Sequence, residues 1–141
     1  MLQLSTHSQR VFCGALLAVA VPATLAAQGR FLDLPSGAWT AHAVSDDGTV
    51  ISGVGSNGVF RWTEAGGLQY LNVPPSFTDL SGDGAVVTAD LPESMTQSGR
   101  VEGAYWTQPA GWTSIFGLPG GFCDSSASSA YAISKDGSVI V

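Results

Sequence analysis

Read only for apolar and polar positions, the chain changes character near residue 28. Val11–Val21 is an almost unbroken apolar run. From Phe31 onward, short apolar stretches alternate with Gly- and Asp-containing breaks. Val50-Ile51, Val86-Val87 and Val139-Ile140 are β-branched pairs, which suit strands. Phe60-Arg61-Trp62-Thr63 alternates apolar and polar residues, the pattern of a half-buried strand. Ala65-Gly66-Gly67 and Pro109-Ala110-Gly111 then predict turns, with strands following over Leu68–Tyr70 and Trp112–Ile115. No helical periodicity longer than one or two turns follows the leader. The pattern predicts units of four short strands joined by tight turns.

Those units repeat. Ala41–Gly53, Phe77–Ala89 and Ala130–Val141 share one pattern: aliphatic, Ser-x-Asp-Gly, small, Val, aliphatic. The turn residues are Ser45, Asp47 and Gly48, then Ser81, Asp83 and Gly84, then Ser134, Asp136 and Gly137. Asp-Gly between apolar flanks is a strong hairpin signal, because Gly accepts the positive φ that tight turns demand. The serine hydroxyl can bond nearby backbone and tighten the turn. A Trp-Thr element follows at Trp62-Thr63 and again at Trp106-Thr107, 44 residues later. Leu34-Pro35 and Leu118-Pro119 each lead into a Ser-x-Asp-Gly unit. The outer two motif serines are 89 residues apart, two such periods. The middle serine is 25 residues from its Trp, against 17 in the first unit. The additional eight fall around Leu91–Arg100, a polar stretch that predicts a surface loop.

A period near 44 residues with four strands is that of a β-propeller blade. The motifs resemble the HAF family of bacterial extracellular repeats over most of residues 31–141. That likeness lies in Ala43–Ile51, in Phe60–Thr63 and in Ala132–Ile140, with Ala89 standing where the middle copy's closing Gly would be. The resemblance implies a surface or secreted β-repeat protein and carries no established catalytic residues. The expected fold class is all-β: a repeat array of four-stranded antiparallel units, an incomplete β-propeller-like array, after a cleaved signal peptide. About two and a half repeats cannot close a propeller, which typically has four to eight blades. A truncated array is therefore the expectation, with a fragment of a longer surface protein, such as an autotransporter passenger, as the alternative.

The leader sharpens this picture. Arg10 precedes the apolar run, Pro22 breaks it, and Ala23–Gln28 supplies small residues, the three-part layout of a secretion signal. The run is too short to span a bilayer core of about 30 Å. Cys13 starts the apolar run instead of following it, which argues against a lipid anchor. The expected division is a signal peptide over residues 1–27 and a β-repeat region over 28–141, placed in the periplasm, at the cell surface or outside the cell. Cleavage leaves Arg30, Arg61, Arg100 and Lys135 against eleven acids. No basic stripe is available to displace counterions, so nucleic acid is excluded as a partner, as is membrane insertion after cleavage. Cys123 alone cannot form an internal disulfide.

Candidate chemistry is sparse. The Ser-x-Asp-Gly loops lack the distal bidentate Glu of EF-hand loops, and a turn accounts for them without a metal. The Asp-box of sialidases is one residue wider, Ser-x-Asp-x-Gly. A partial propeller glycosidase remains a further alternative. It would have to pair two of Asp46, Asp79, Asp90, Glu93, Glu102 and Asp124, which the sequence does not do. His42 lies in an alternating strand segment, Cys123 has no His nearby, and no Cys/His metal spacing exists. Neither a cofactor nor a catalytic residue is expected. Trp62 and Trp106 recur at the repeat period and predict packing. Trp39 and Trp112 have no Trp at the matching place and are the candidates for an exposed stacking contact with an extracellular ligand. The final hairpin leaves an open strand edge through which copies could self-associate.

Overall fold

A computed structural model describes residues 31–115 and 127–141. The expected signal peptide over residues 1–27, Leu118-Pro119, Cys123 and Asp124 lie outside the described residues. Residues Asp33–Val141 form one compact unit. It is all-β. The strands are β1 (Ala38–Val44), β2 (Val50–Gly55), β3 (Gly58–Thr63), β4 (Gly67–Tyr70), β5 (Asp79–Leu80), β6 (Val86–Leu91), β7 (Glu102–Thr107) and β8 (Gly111–Ser114). They make two antiparallel four-stranded sheets, each in chain order, β1-β2-β3-β4 and β5-β6-β7-β8. The single described helical element is a 3-10 turn at Glu93–Met95.

Register follows the repeat. Val50 pairs with Thr63 and Ile51 with Trp62; in the second sheet Val86 pairs with Thr107 and Val87 with Trp106. Trp62 and Trp106 then face Leu68 and Trp112 across the next hairpin. Both recurring tryptophans are buried, as their spacing predicts. Gly67 and Gly111 open the last strand of each sheet with φ of +69° and +76°. The β2–β3 connection is Ser56-Asn57, whereas β6–β7 takes the ten residues Pro92–Val101. The eight additional residues sit where the spacing placed them, in a largely exposed loop.

A shared core joins the sheets. Val50, Val59, Leu71 and Val73 from the first pack with Leu80, Val87, Ala89, Leu91, Ala104 and Trp106 from the second. Burial at about 25 cal/mol per Å² makes such a cluster the main stabilising term for a chain without a described disulfide. Polar groups inside the junction are paired: the buried Thr78 hydroxyl donates to Ser52 Oγ at 2.9 Å. The third copy of the pattern forms a hairpin over Tyr131–Val141, closed by the Ile133–Ile140 bridge and by bonds between Ala132 and Val141.

Candidate functional site

Each Ser-x-Asp-Gly segment folds into the same six-residue turn. In the first, the Gly48 N–H donates to the Ser45 carbonyl at 2.9 Å and the Ser45 N–H to the Val50 carbonyl at 2.9 Å. The Ser45 hydroxyl donates to Asp47 Oδ1 at 2.7 Å and accepts from the Val50 N–H at 3.0 Å. Asp47 Oδ1 also accepts the Thr49 N–H at 3.0 Å. The same set is built by Ser81, Asp83, Ala85 and Val86, and by Ser134, Asp136, Ser138 and Val139. Gly48, Gly84 and Gly137 take φ of +72°, +70° and +72°. The aspartates do not share that left-handed backbone, since Asn72 is the one described non-Gly residue with positive φ. Their part in the turn is played by the side chain.

The three turns ring an open depression of about 740 Å³ lined by Asp46, Asp47, Gly82, Asp83, Ser134, Lys135 and Asp136. It holds many carboxylates yet is a poor acid–base centre. The Ser45 hydroxyl, then the Thr49 N–H and hydroxyl, hold Asp47 below the ordinary carboxylate range. The Ala85 N–H and the Ser81 hydroxyl do the same for Asp83. At Asp136 the Ser134 hydroxyl, with Ser138, brings the value down to about 2. Donors bonded to the charged form favour it, so these groups stay ionised and keep no proton to give. Among the described residues, no three His, Cys, Asp or Glu side chains gather as a metal site would require.

Of the other acids weighed for catalysis, Asp79, Asp90, Glu102 and Asp46 are spread through the fold in structural roles. Asp79 Oδ2 accepts the Ile133 N–H and Asp90 Oδ1 the Ala130 N–H, each at 3.0 Å, tying the third hairpin to the second sheet. Glu102 accepts from the Ser114 and Ser98 hydroxyls, which lower its pKa. Asp46 pairs with Lys135 Nζ at 2.5 Å over Gly82, where a Cβ would lie 2.6 Å from both side chains. Arg61 is half-buried and donates from Nε to the Gly84 carbonyl at 3.1 Å, clamping one sheet to the next turn.

The two candidate tryptophans part company. Trp39 is 66% exposed on β1, the edge strand of the first sheet. Trp112 corrects the expectation of an exposed contact. It is half-buried against the core, and its indole N–H donates to the Leu71 carbonyl at 2.7 Å. The indole thus packs on the core and has its polar edge satisfied, as buried tryptophans usually do.

The structure adds a feature that the repeat search did not assemble. His42 stacks on Phe77 at a ring-centre distance of 5.4 Å, and Phe77 lies 6.2 Å from Tyr131. The three residues come from the three successive units and all are exposed, Phe77 by 50% and Tyr131 by 64%. The Thr78 N–H donates to His42 Nδ1 at 3.3 Å and orients the imidazole. Two irregularities in the β1–β2 register explain the outward residues. Ala38 and Thr40 face the adjacent Gly55 and Val54, and Ala41 and Ala43 face Gly53 and Ser52. Trp39 and His42 are thus the unpaired residues of two β-bulges, a device that re-aims side chains at sheet edges. Aligning the motif serines puts His42 and Tyr131 at one repeat position, three before the serine, a signal that could have found them. Compared with family models, curated proteins and solved structures, the chain matches none of them.

Proposed function

We propose that this chain is an exported, non-catalytic β-repeat protein that acts at the cell surface or in the periplasm as a binding or scaffold element. Its four-stranded units are read as successive blades of a propeller-like array, and the His42–Phe77–Tyr131 strip as its contact surface. The strip carries the reading. Rigid aromatic rings left exposed in a row are unfavourable unless something covers them, and they offer large contact area at low entropic cost. Their faces suit ligands with flat apolar faces, such as the rings of a polysaccharide. Support for a non-catalytic role comes from the recurring acids, which are engaged in turns and held ionised. The leader pattern and the likeness to HAF repeats support export.

The test is retention of the full chain on insoluble chitin, cellulose and peptidoglycan sacculi. The double substitution Phe77→Ala with Tyr131→Ala should lower retention by about tenfold or more while leaving the fold intact, because both side chains are exposed. Unchanged retention would remove the strip from the proposal. Hydrolysis of a glycoside, lost on changing one acid, would overturn the non-catalytic reading. Recovery of the chain in the cytoplasm with its leader intact would overturn export.

A further inference from the structure

Each turn is seated on the preceding unit in the same manner, twice over. The Asp46 N–H donates to the Gly82 carbonyl, and the Gly82 N–H to the Lys135 carbonyl, both at 2.8 Å. These three residues occupy the x position of the three motifs, so the turns are linked by a backbone ladder. The turn glycine of each later unit lies against the first strand valine of the unit before it. A Cβ on Gly84 would come within 2.5 Å of Val50 Cγ2, and one on Gly137 within 3.4 Å of Val86 Cγ2. Val50 is accordingly 5% exposed and Val86 half-buried, while Val139, which no described turn covers, is 55% exposed.

The first and third turns therefore present complementary faces. At the first turn, a Cβ on Gly48 would meet nothing within 4 Å, and the Asp46 carbonyl has no partner among the described residues. At the third, Val139 is bare and the Lys135 N–H has no partner among the described residues. The first turn offers a carbonyl and a glycine hollow, and the third an N–H and a valine side chain. We propose that copies of this chain associate head to tail, the Gly48 turn of one copy covering Val139 of the next, with the Lys135 N–H donating to the Asp46 carbonyl. This surface differs from an open strand edge, and it is independent of the aromatic strip. An interface between unlike faces generates rings if its rotation closes and filaments if it does not.

Sedimentation of the full chain over a concentration series tests this. The wild type should gain mass with concentration. Gly48→Asn should stay folded, since Asn tolerates a left-handed backbone and the space is open, yet it fills the hollow. Val139→Asp should also stay folded, as the side chain is exposed, and it puts a charge on the opposing face. Each variant alone should lower the associated fraction by about tenfold or more. An equal mixture of the two retains one intact junction and should form dimers and nothing larger. A wild type that remains monomeric overturns the proposal. So does association that both variants leave unchanged, or a mixture that fails to pair. Tryptophan fluorescence, which reads the buried Trp62 and Trp106, reports whether each variant is folded.

Discussion

The two four-stranded sheets share the turn, the Val-aliphatic strand and the Trp-Thr strand, but they differ at their margins. β1 has seven residues and two bulges, while β5, in the same place, has two residues preceded by Pro74-Pro75. The second sheet's edge strand is thus the shorter, and the prolines ahead of it give no N–H to a ladder. The β2–β3 link has two residues and the β6–β7 link ten. A unit is thus defined by its turn and its two central strands, and the edges can vary without disturbing the register. The turn itself, in three settings, gives the sharper comparison: its local bonds are identical, and only what surrounds it changes.

Substituting the same glycine three times should separate local geometry from packing most strongly. Gly84→Ala incurs both left-handed strain and a collision with Val50, for about 3 kcal/mol or more. Gly48→Ala, at the same φ in open space, should cost about 1–2 kcal/mol, and Gly137→Ala a similar amount. Urea unfolding midpoints at equal slope would rank them, and equal costs at Gly84 and Gly48 would count against seating of the second turn on the first sheet. Next in size is the valine series. Val50→Ala removes buried methyl groups for about 2 kcal/mol, whereas Val139→Ala in the monomer should change stability by about 0.5 kcal/mol or less.

A smaller effect distinguishes the turns by acid. The folded pKa of Asp136 lies below its ordinary value of 3.8, so the stabilisation it provides is complete above that value. It is lost as pH falls through the folded value of about 2. Asp47 and Asp83 are shifted in the same direction. Titration of the carboxyl carbons by NMR should show these midpoints depressed, and Ser134→Ala should bring that of Asp136 upward, because the Ser134 hydroxyl is the leading cause. The least change is expected at the inserted loop. Replacing Pro92–Val101 with a two-residue link like Ser56-Asn57 should alter stability by about 1 kcal/mol or less, since loop-closure entropy grows slowly with length.

Much of this architecture was legible in the sequence, and for a definable reason. Asp-Gly turns, β-branched pairs and the Trp-Thr alternation are local signals, and their spacing located both the strands and the eight-residue insertion. Neighbour-dependent features were not legible. The bulges at Trp39 and His42 exist only relative to the register of β2. Trp112 looked free because no matching tryptophan stands in the other copy. Its fate was set by the carbonyl of Leu71, which directly follows β4 of the neighbouring unit, 41 residues earlier. The aromatic strip likewise needs three units brought side by side before it exists.

The turn has one more consequence, for the ageing of the chain. Among aspartyl dipeptides Asp-Gly is especially prone to cyclise: the glycine nitrogen attacks the aspartate side chain, water leaves, and the resulting succinimide reopens to isoaspartate. In each of the three turns the glycine N–H is held by the serine carbonyl, and the carboxylate is kept ionised, its less electrophilic form. The fold therefore shields three chemically fragile peptide bonds with the hydrogen bonds that shape them. A chain stored unfolded should accumulate isoaspartate at Asp47, Asp83 and Asp136, and a folded one should not.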